Sequence, residues 1–220
     1  MIQGLKGEIE NIVQRFKNPE DAVISISGRS EIINFIGREV SFPGKVIFKY
    51  GDGASVIEDL LAKRTDLIIS NHREKTDDLT SKRLFVDEFF LAVPRKWNGG
   101  IETLSKALVE RLLARPFLQY KNNDYVIDLV LKHFNISKQI EPKTVLPDWP
   151  SLIYLAEKEG GWVIAPTRYQ NLSGNKLVKI AVPTSIVPKT EFYILYRKEN
   201  FDKKWLAPTL DKIKDIFTIS

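Results

Sequence analysis

A chain of 220 residues with 43% hydrophobic content is long enough to bury one large core or two smaller ones. It has no cysteine, which excludes disulfides, thiolate metal sites and cysteine nucleophiles. The net charge of +5 permits an anionic partner. The basic residues are scattered without interleaved aromatics, so a solvated basic surface is expected rather than a nucleic-acid platform.

Residues 2–17 place Ile2, Leu5, Ile9, Ile12, Val13 and Phe16 at helical spacing, and Asn18-Pro19 ends that helix. This opening lacks the apolar core of a secretory signal, and no run approaches the ~18 apolar residues that span a bilayer. A soluble, cytoplasmic chain is expected.

A strand–helix alternation begins at Ala22–Ser27. A turn at Gly28-Arg29-Ser30 leads into a helix over 31–40. The strand Lys45–Tyr50, the turn Gly51-Asp52-Gly53, the helix Ser55–Lys63 and the short strand Asp66–Ser70 follow. This β-α-β-α-β order predicts a mostly parallel sheet with right-handed crossovers. Phe85–Pro94 reads as one longer strand, and Asn98-Gly99-Gly100 marks a boundary or hinge-side loop.

A second alternation has helices over Ile101–Leu113, Asn123–Phe134 and Trp149–Glu159. Its strands are Pro116–Tyr120, Lys143–Leu146 and Trp162–Ala165. Strands Leu177–Val182 and Glu191–Arg197 and a helix over 205–217 close the chain. The expected organisation is a leading helix at 1–21, one lobe from 22–95 plus 194–220, and a second from 96–193. Such a fold carries its ligand in a cleft between lobes.

The two histidines, His72 and His133, are far apart and have no clustered ligands beside them, so no metal site is expected. Ser27, Ser30 and Ser70 have no evident base or orienting partner, and Gly28-Arg29-Ser30 lacks the spacing of a phosphate-binding glycine loop. No catalytic residue and no cofactor are assigned.

Ligand chemistry points instead to turns that open helices, where unpaired backbone N–H groups and the positive dipole end favour anions. In the first turn Ser27 and Ser30 offer hydroxyls, Gly28 lets the backbone approach, and Arg29 can hold a carboxylate bidentately. Ser30 reads equally well as a simple N-cap. The second turn carries Tyr120, Asn122 and Asn123, the third Asp148 and Trp149. Asp148 reads first as a cap, and Trp149 as either core or pocket wall. Asn71, at the end of the Asp66–Ser70 strand, falls on the same side as the first turn by the rule for parallel sheets.

Gly53–Ile69 resembles the effector-binding domain of LysR-type transcriptional regulators, in which a Gly, a helix ending in Leu and a short turn precede Asp-Leu-Ala-Ile. Leu84–Pro94, Leu113-Ala114-Arg115-Pro116-Phe117-Leu118 and Gly160-Gly161-Trp162-Val163-Ile164-Ala165-Pro166 are similar to later segments of that family, and the likeness spans about 22–217. Ala165 stands where the family has Leu.

The resemblance implies an α/β, two-lobed, type 2 periplasmic-binding-protein-like fold with a small-molecule effector in a cleft between lobes, and the helix-start turns make an anionic one the expectation. It also implies a homodimer or higher oligomer, in which the helices at 55–63 and 123–134 are the natural partner surfaces. DNA would be bound only through a helix-turn-helix that the twenty residues before the first strand are too few to form. Residues 2–17 would then be the end of a linker helix. By position in the pattern, effector contacts fall on Ser27, Ser30, Asn71, Asn122 and Asp148. The alternative is a type-2 solute-binding protein of a transporter. An enzyme of the same fold, such as a deaminase or prephenate dehydratase relative, is a third reading that would need a catalytic set.

Overall fold

A computed structural model describes residues 21–74, 76–121 and 125–218. The expected leading helix and the candidates Asn122 and Asn123 lie outside these residues. The chain divides into two compact units. Unit 1 holds residues up to Phe85 and from Glu191 onward, and unit 2 holds Val86–Thr190.

Unit 1 is built on a sheet ordered β2-β1-β3-β10-β4. Its elements are β1 (Val23–Gly28), α1 (Ser30–Glu39), β2 (Lys45–Tyr50), α2 (Ala54–Leu61), β3 (Leu67–Ser70) and β4 (Leu79–Asp87). After the excursion through unit 2, β10 (Thr190–Arg197) and a last helix, Leu206–Thr218, complete it. β1 pairs parallel with both β2 and β3, while β10 runs antiparallel to β3. β3 is central, and Leu67, Ile68 and Ile69 are all buried, as expected for a short continuous apolar run. α1 buries Ile32, Ile33, Phe35 and Ile36, the stripe its period demands.

Three stacked rings tie the end of this unit together. Phe85 on β4 lies between Phe192 on β10, at 4.7 Å, and Phe217 on the last helix, at 3.8 Å. Offset-stacked rings add to their buried area. Arg197 closes the other side: its guanidinium donates to the Leu60 and Thr65 carbonyls at 2.6 and 2.7 Å, linking β10 to the end of α2.

Unit 2 has the sheet β8-β5-β9, with β5 (Phe89–Pro94) central and antiparallel to β8 (Val163–Pro166) and β9 (Leu177–Val182). A parallel pair, β6 (Leu118–Tyr120) and β7 (Thr144–Leu146), joins it through a bridge between Phe117 and Trp162. The helices are α3 (Arg95–Asn98), α4 (Lys106–Leu112), α5 (Tyr125–His133) and α6 (Trp149–Leu155), so the last helix of unit 1 is α7. Leu91, Val93, Leu108, Leu112, Val130 and Trp162 form its core. The Trp162 indole N–H donates to the Leu112 carbonyl at 3.0 Å, so this buried donor is satisfied.

Three elements differ from the sequence-based expectation. Phe85–Pro94 is two strands that meet at Glu88, and β4 begins six residues before Phe85, at Leu79. The helix expected from Ile101 starts at Lys106, because Ser105 caps it by accepting from the Leu108 N–H at 3.3 Å. The helix expected over Trp149–Glu159 ends at Leu155, and Ala156–Gly160 continues as a π-turn stopped by Gly160 at φ +82°.

Candidate functional site

The carboxyl ends of β1, β2 and β3 lie along one edge of the unit 1 sheet, because all three run parallel. The register aligns Gly28 with Tyr50 on one side and Ile69 on the other, so the turns after these residues are neighbours. Ser27, Gly28, Arg29, Ser30 and Asn71 therefore share one edge with Asp52.

Gly28 packs tightly there. A β-carbon on it would come within 2.7 Å of the Ile69 carbonyl oxygen, so only glycine allows β1 to lie this close to β3 at its end. The Ser27 side chain is buried, and its hydroxyl shares a 2.9 Å hydrogen bond with the Thr65 hydroxyl. Thr65 also donates to the Ser25 carbonyl at 3.2 Å, while Asp66 accepts from the Ser25 N–H and hydroxyl, both at 2.8 Å. These bonds fasten β1 to the turn before β3 and leave the Ser27 hydroxyl engaged inside the fold.

Arg29, not Ser30, is the N-cap of α1. Its backbone is extended (φ −62°, ψ 141°) and no side chain bonds the cap. Its carbonyl accepts from the N–H groups of Ile32 and Ile33, both at 3.0 Å. Ser30 is already inside the first turn. The Arg29 side chain is about one-third exposed, and its Nε lies 2.7 Å from the Glu31 carboxylate and 3.8 Å from that of Asp52. Glu31 is buried and Asp52 is exposed. Nε supplies only one of the five donors of a guanidinium. Sequence reasoning missed both acidic neighbours. The parallel register of β1 and β2 was the signal for Asp52, since turns that follow adjacent parallel strands lie side by side.

In unit 2, β6 and β7 bring Tyr120, Asp148 and Trp149 to one end of their parallel pair, with Tyr120 aligned to Leu146. Tyr120 and Trp149 are buried and stack at 4.3 Å with planes 8° apart. The Asp148 carboxylate accepts from the Ser151 N–H at 2.9 Å, the bond of an N-cap. Lys121, at φ 57°, places its ammonium 5.0 Å from the centre of the Tyr120 ring.

Asp87 and Arg168 form a buried ion pair in the same unit. The bond between the Thr167 N–H and the Glu88 carbonyl, at 2.9 Å, lies next to it. Nothing in the local sequence pointed to this pair, because its members are 81 positions apart.

Among the described residues, no group of three or more His, Asp or Glu side chains is arranged to hold a metal ion. No helix there is long and apolar enough to cross a membrane. His133 packs edge-on against the Phe134 ring at 4.8 Å.

Each of the two α/β units has parallel strands whose carboxyl ends open into helices. Residues 45–211 match the LysR substrate binding domain, and the chain belongs to that family. It has the type 2 periplasmic-binding-protein-like fold, and its role is that of the effector-binding domain of a LysR-type transcriptional regulator. The transporter alternative is not supported. Solved structures agree on the fold. Full-length CbnR complexed with its target DNA is similar over 99% of this chain and 78% of that one, with TM-score 0.60 and 18% identity. The regulatory domain of MetR from N. meningitidis is similar over 90% and 94%, with TM-score 0.59 and 19% identity. A full-length OxyR from Pseudomonas aeruginosa is similar over 98% and 74%, with TM-score 0.61 and 15% identity. No curated protein matches the chain in sequence.

Proposed function

We propose that this effector-binding domain takes a small molecule carrying a carboxylate or similar anionic group, and that the β1–α1 turn of unit 1 is where the group binds. The observation that carries this is Arg29, partly exposed at the start of α1 and beside a backbone that Gly28 keeps tight against β3. Its guanidinium offers a planar fork for the anion, and the first N–H groups of α1 add a partial positive charge. Ser30 and Asn71 supply further polar contacts from the same edge, while Ser27 supports the turn from inside through Thr65.

Glu31 and Asp52 add a second demand. With two carboxylates beside one guanidinium, the neighbouring part of the ligand carries a hydrogen-bond donor, such as an amino or hydroxyl group. In unit 2, the Asp148 cap and the buried Tyr120–Trp149 stack hold the start of α6 in place. The domain binds and does not catalyse. Its ligand shifts the equilibrium between conformations of the intact regulator.

CbnR is a full-length regulator solved on its target DNA. By analogy, this domain acts on DNA through a helix-turn-helix module of the same protein and works as a homodimer or higher oligomer. α2 and α5, with Leu61 and Tyr125 exposed, are the surfaces for self-association.

The test is calorimetric titration of the chain with a panel of small hydroxy- and amino-carboxylates. At least one binds saturably, and Arg29→Gln weakens it about tenfold or more, the order for losing a charge-assisted hydrogen bond. Unchanged affinity in Arg29→Gln would remove the anion site from this turn.

A further inference from the structure

Unit 2 holds a cavity of about 420 Å³ at the carboxyl end of β5, the opposite end of that strand from Phe89. It is bounded by Pro94–Lys96, by the π-turn Ala156–Gly160 and by the loop that opens β9. Its volume is in the range that small-ligand sites occupy.

Four cations line it, Arg95, Lys96, Lys158 and Lys176, against two carboxylates, Glu157 and Glu159. The excess is two positive charges on one concave surface. Like charges held together repel, and a multivalent anion relieves that repulsion.

The frame that holds these groups is fixed. The Arg95 N–H donates to the Lys176 carbonyl at 3.0 Å, and its Nε donates to the Asn175 carbonyl at 2.6 Å. Both bonds strap α3 to the loop before β9, and the guanidinium has four further donors. Trp97 lies under two cations, with Arg115 at 5.3 Å and Lys96 at 5.7 Å from its ring centre. A β-carbon at Gly160 would stand 3.6 Å from the same ring, so the π-turn is seated on it. π-turns are rare, and those within helices are frequent at functional sites.

We propose that this cavity is a second ligand site, separate from the β1–α1 turn, for a small multivalent anion of the phosphate or polycarboxylate class. Arg95 and Lys176 hold the anion, Lys158 and Lys96 flank it, and Glu157 and Glu159 limit its charge. Binding is salt-dependent, because the cations are exposed.

Inorganic pyrophosphate is the probe, titrated calorimetrically into the full chain at low ionic strength. Saturable one-to-one binding is expected, weakened about tenfold in the double variant Lys158→Ala/Lys176→Ala, the order for removing two exposed charges. Glu157→Gln/Glu159→Gln tightens it. Lys138→Ala/Lys143→Ala removes the same charge elsewhere on unit 2 and leaves the affinity unchanged. Equal weakening in the two lysine double variants would show diffuse attraction only and overturn the proposal, as would the absence of saturable binding at millimolar pyrophosphate.

Discussion

Arg29 Nε sits 2.7 Å from the carboxylate of Glu31, two residues further along the chain, and this pairing fixes the guanidinium at the β1–α1 turn. The arginine is about one-third exposed while the glutamate is buried, so the cation presents its outer face and the anion braces it from within. A ligand anion at the proposed site would share Arg29 with Glu31. Glu31→Gln relieves that competition and tightens carboxylate binding by about threefold to tenfold, a range already discounted for solvent screening. Calorimetry of the variant checks it. Weaker binding would mean that Glu31 contributes mainly by holding the guanidinium in place.

Gly28 is a packing requirement. Gly28→Ala pushes a methyl group against the Ile69 carbonyl, which belongs to the central strand and cannot yield cheaply. A loss of roughly 1–3 kcal/mol is expected on overpacking of this kind. Urea denaturation followed by circular dichroism measures it.

The buried Asp87–Arg168 pair makes opposite predictions for single and double replacement. Arg168→Met strands the Asp87 carboxylate, whose Oδ1 is already buried without a hydrogen-bond partner. A cost of about 3–5 kcal/mol follows for breaking one side of such a pair. Asp87→Leu combined with Arg168→Met removes both charges and recovers most of that loss. Because the chain has two units, the transition to follow is that of unit 2, reported by hydrogen exchange of its core amides such as Val93 and Ile164.

Trp149 is a buried ring stacked on Tyr120, and Trp149→Ala costs about 3–5 kcal/mol of stability, as large-to-small changes in a core do. Trp149→Phe keeps an aromatic face and loses less. Thermal denaturation ranks the two variants.

Glu199 accepts from Lys63 and from Arg197 Nε, each at 2.9 Å, and the Lys63 ammonium contributes most to holding its carboxyl below the ordinary glutamate range. A depressed folded-state value stabilises the fold above the ordinary range, and that stabilisation is lost as pH falls through the folded value. Lys63→Ala moves the Glu199 midpoint up toward its ordinary value in a carboxyl NMR titration. The exposed site makes any stability change small.

Much of unit 1 could be read in the sequence because its parts are local. Lys45–Tyr50 is a strand of the expected length, Leu67–Ile69 is the continuous apolar run of a central strand, and Gly28 sits where strand must turn to helix. What escaped depends on partners distant in the chain or on hydrogen bonds. Phe85–Pro94 is apolar on both sides of Asp87-Glu88, and that charged pair marks the break, but the partial alternation of apolar and polar residues reads as one continuous strand. The start of α4 is set by the Ser105 cap, although Ile101 and Leu104 extend the apolar pattern upstream. At the turn proposed for the effector's anion, residue types pointed to Arg29 and Gly28. They did not reveal that Ser27 is spent on Thr65, or that Glu31 and Asp52 flank the cation.

The most direct test is to follow backbone amide resonances while the tightest-binding carboxylate of the panel is added. The largest shifts are expected at Gly28–Ile32 and Asn71, and they should vanish at the same ligand concentration in Arg29→Gln. Saturable binding whose shifts fall elsewhere, with Gly28–Ile32 unmoved, would contradict the assignment of the β1–α1 turn as the effector's anion site.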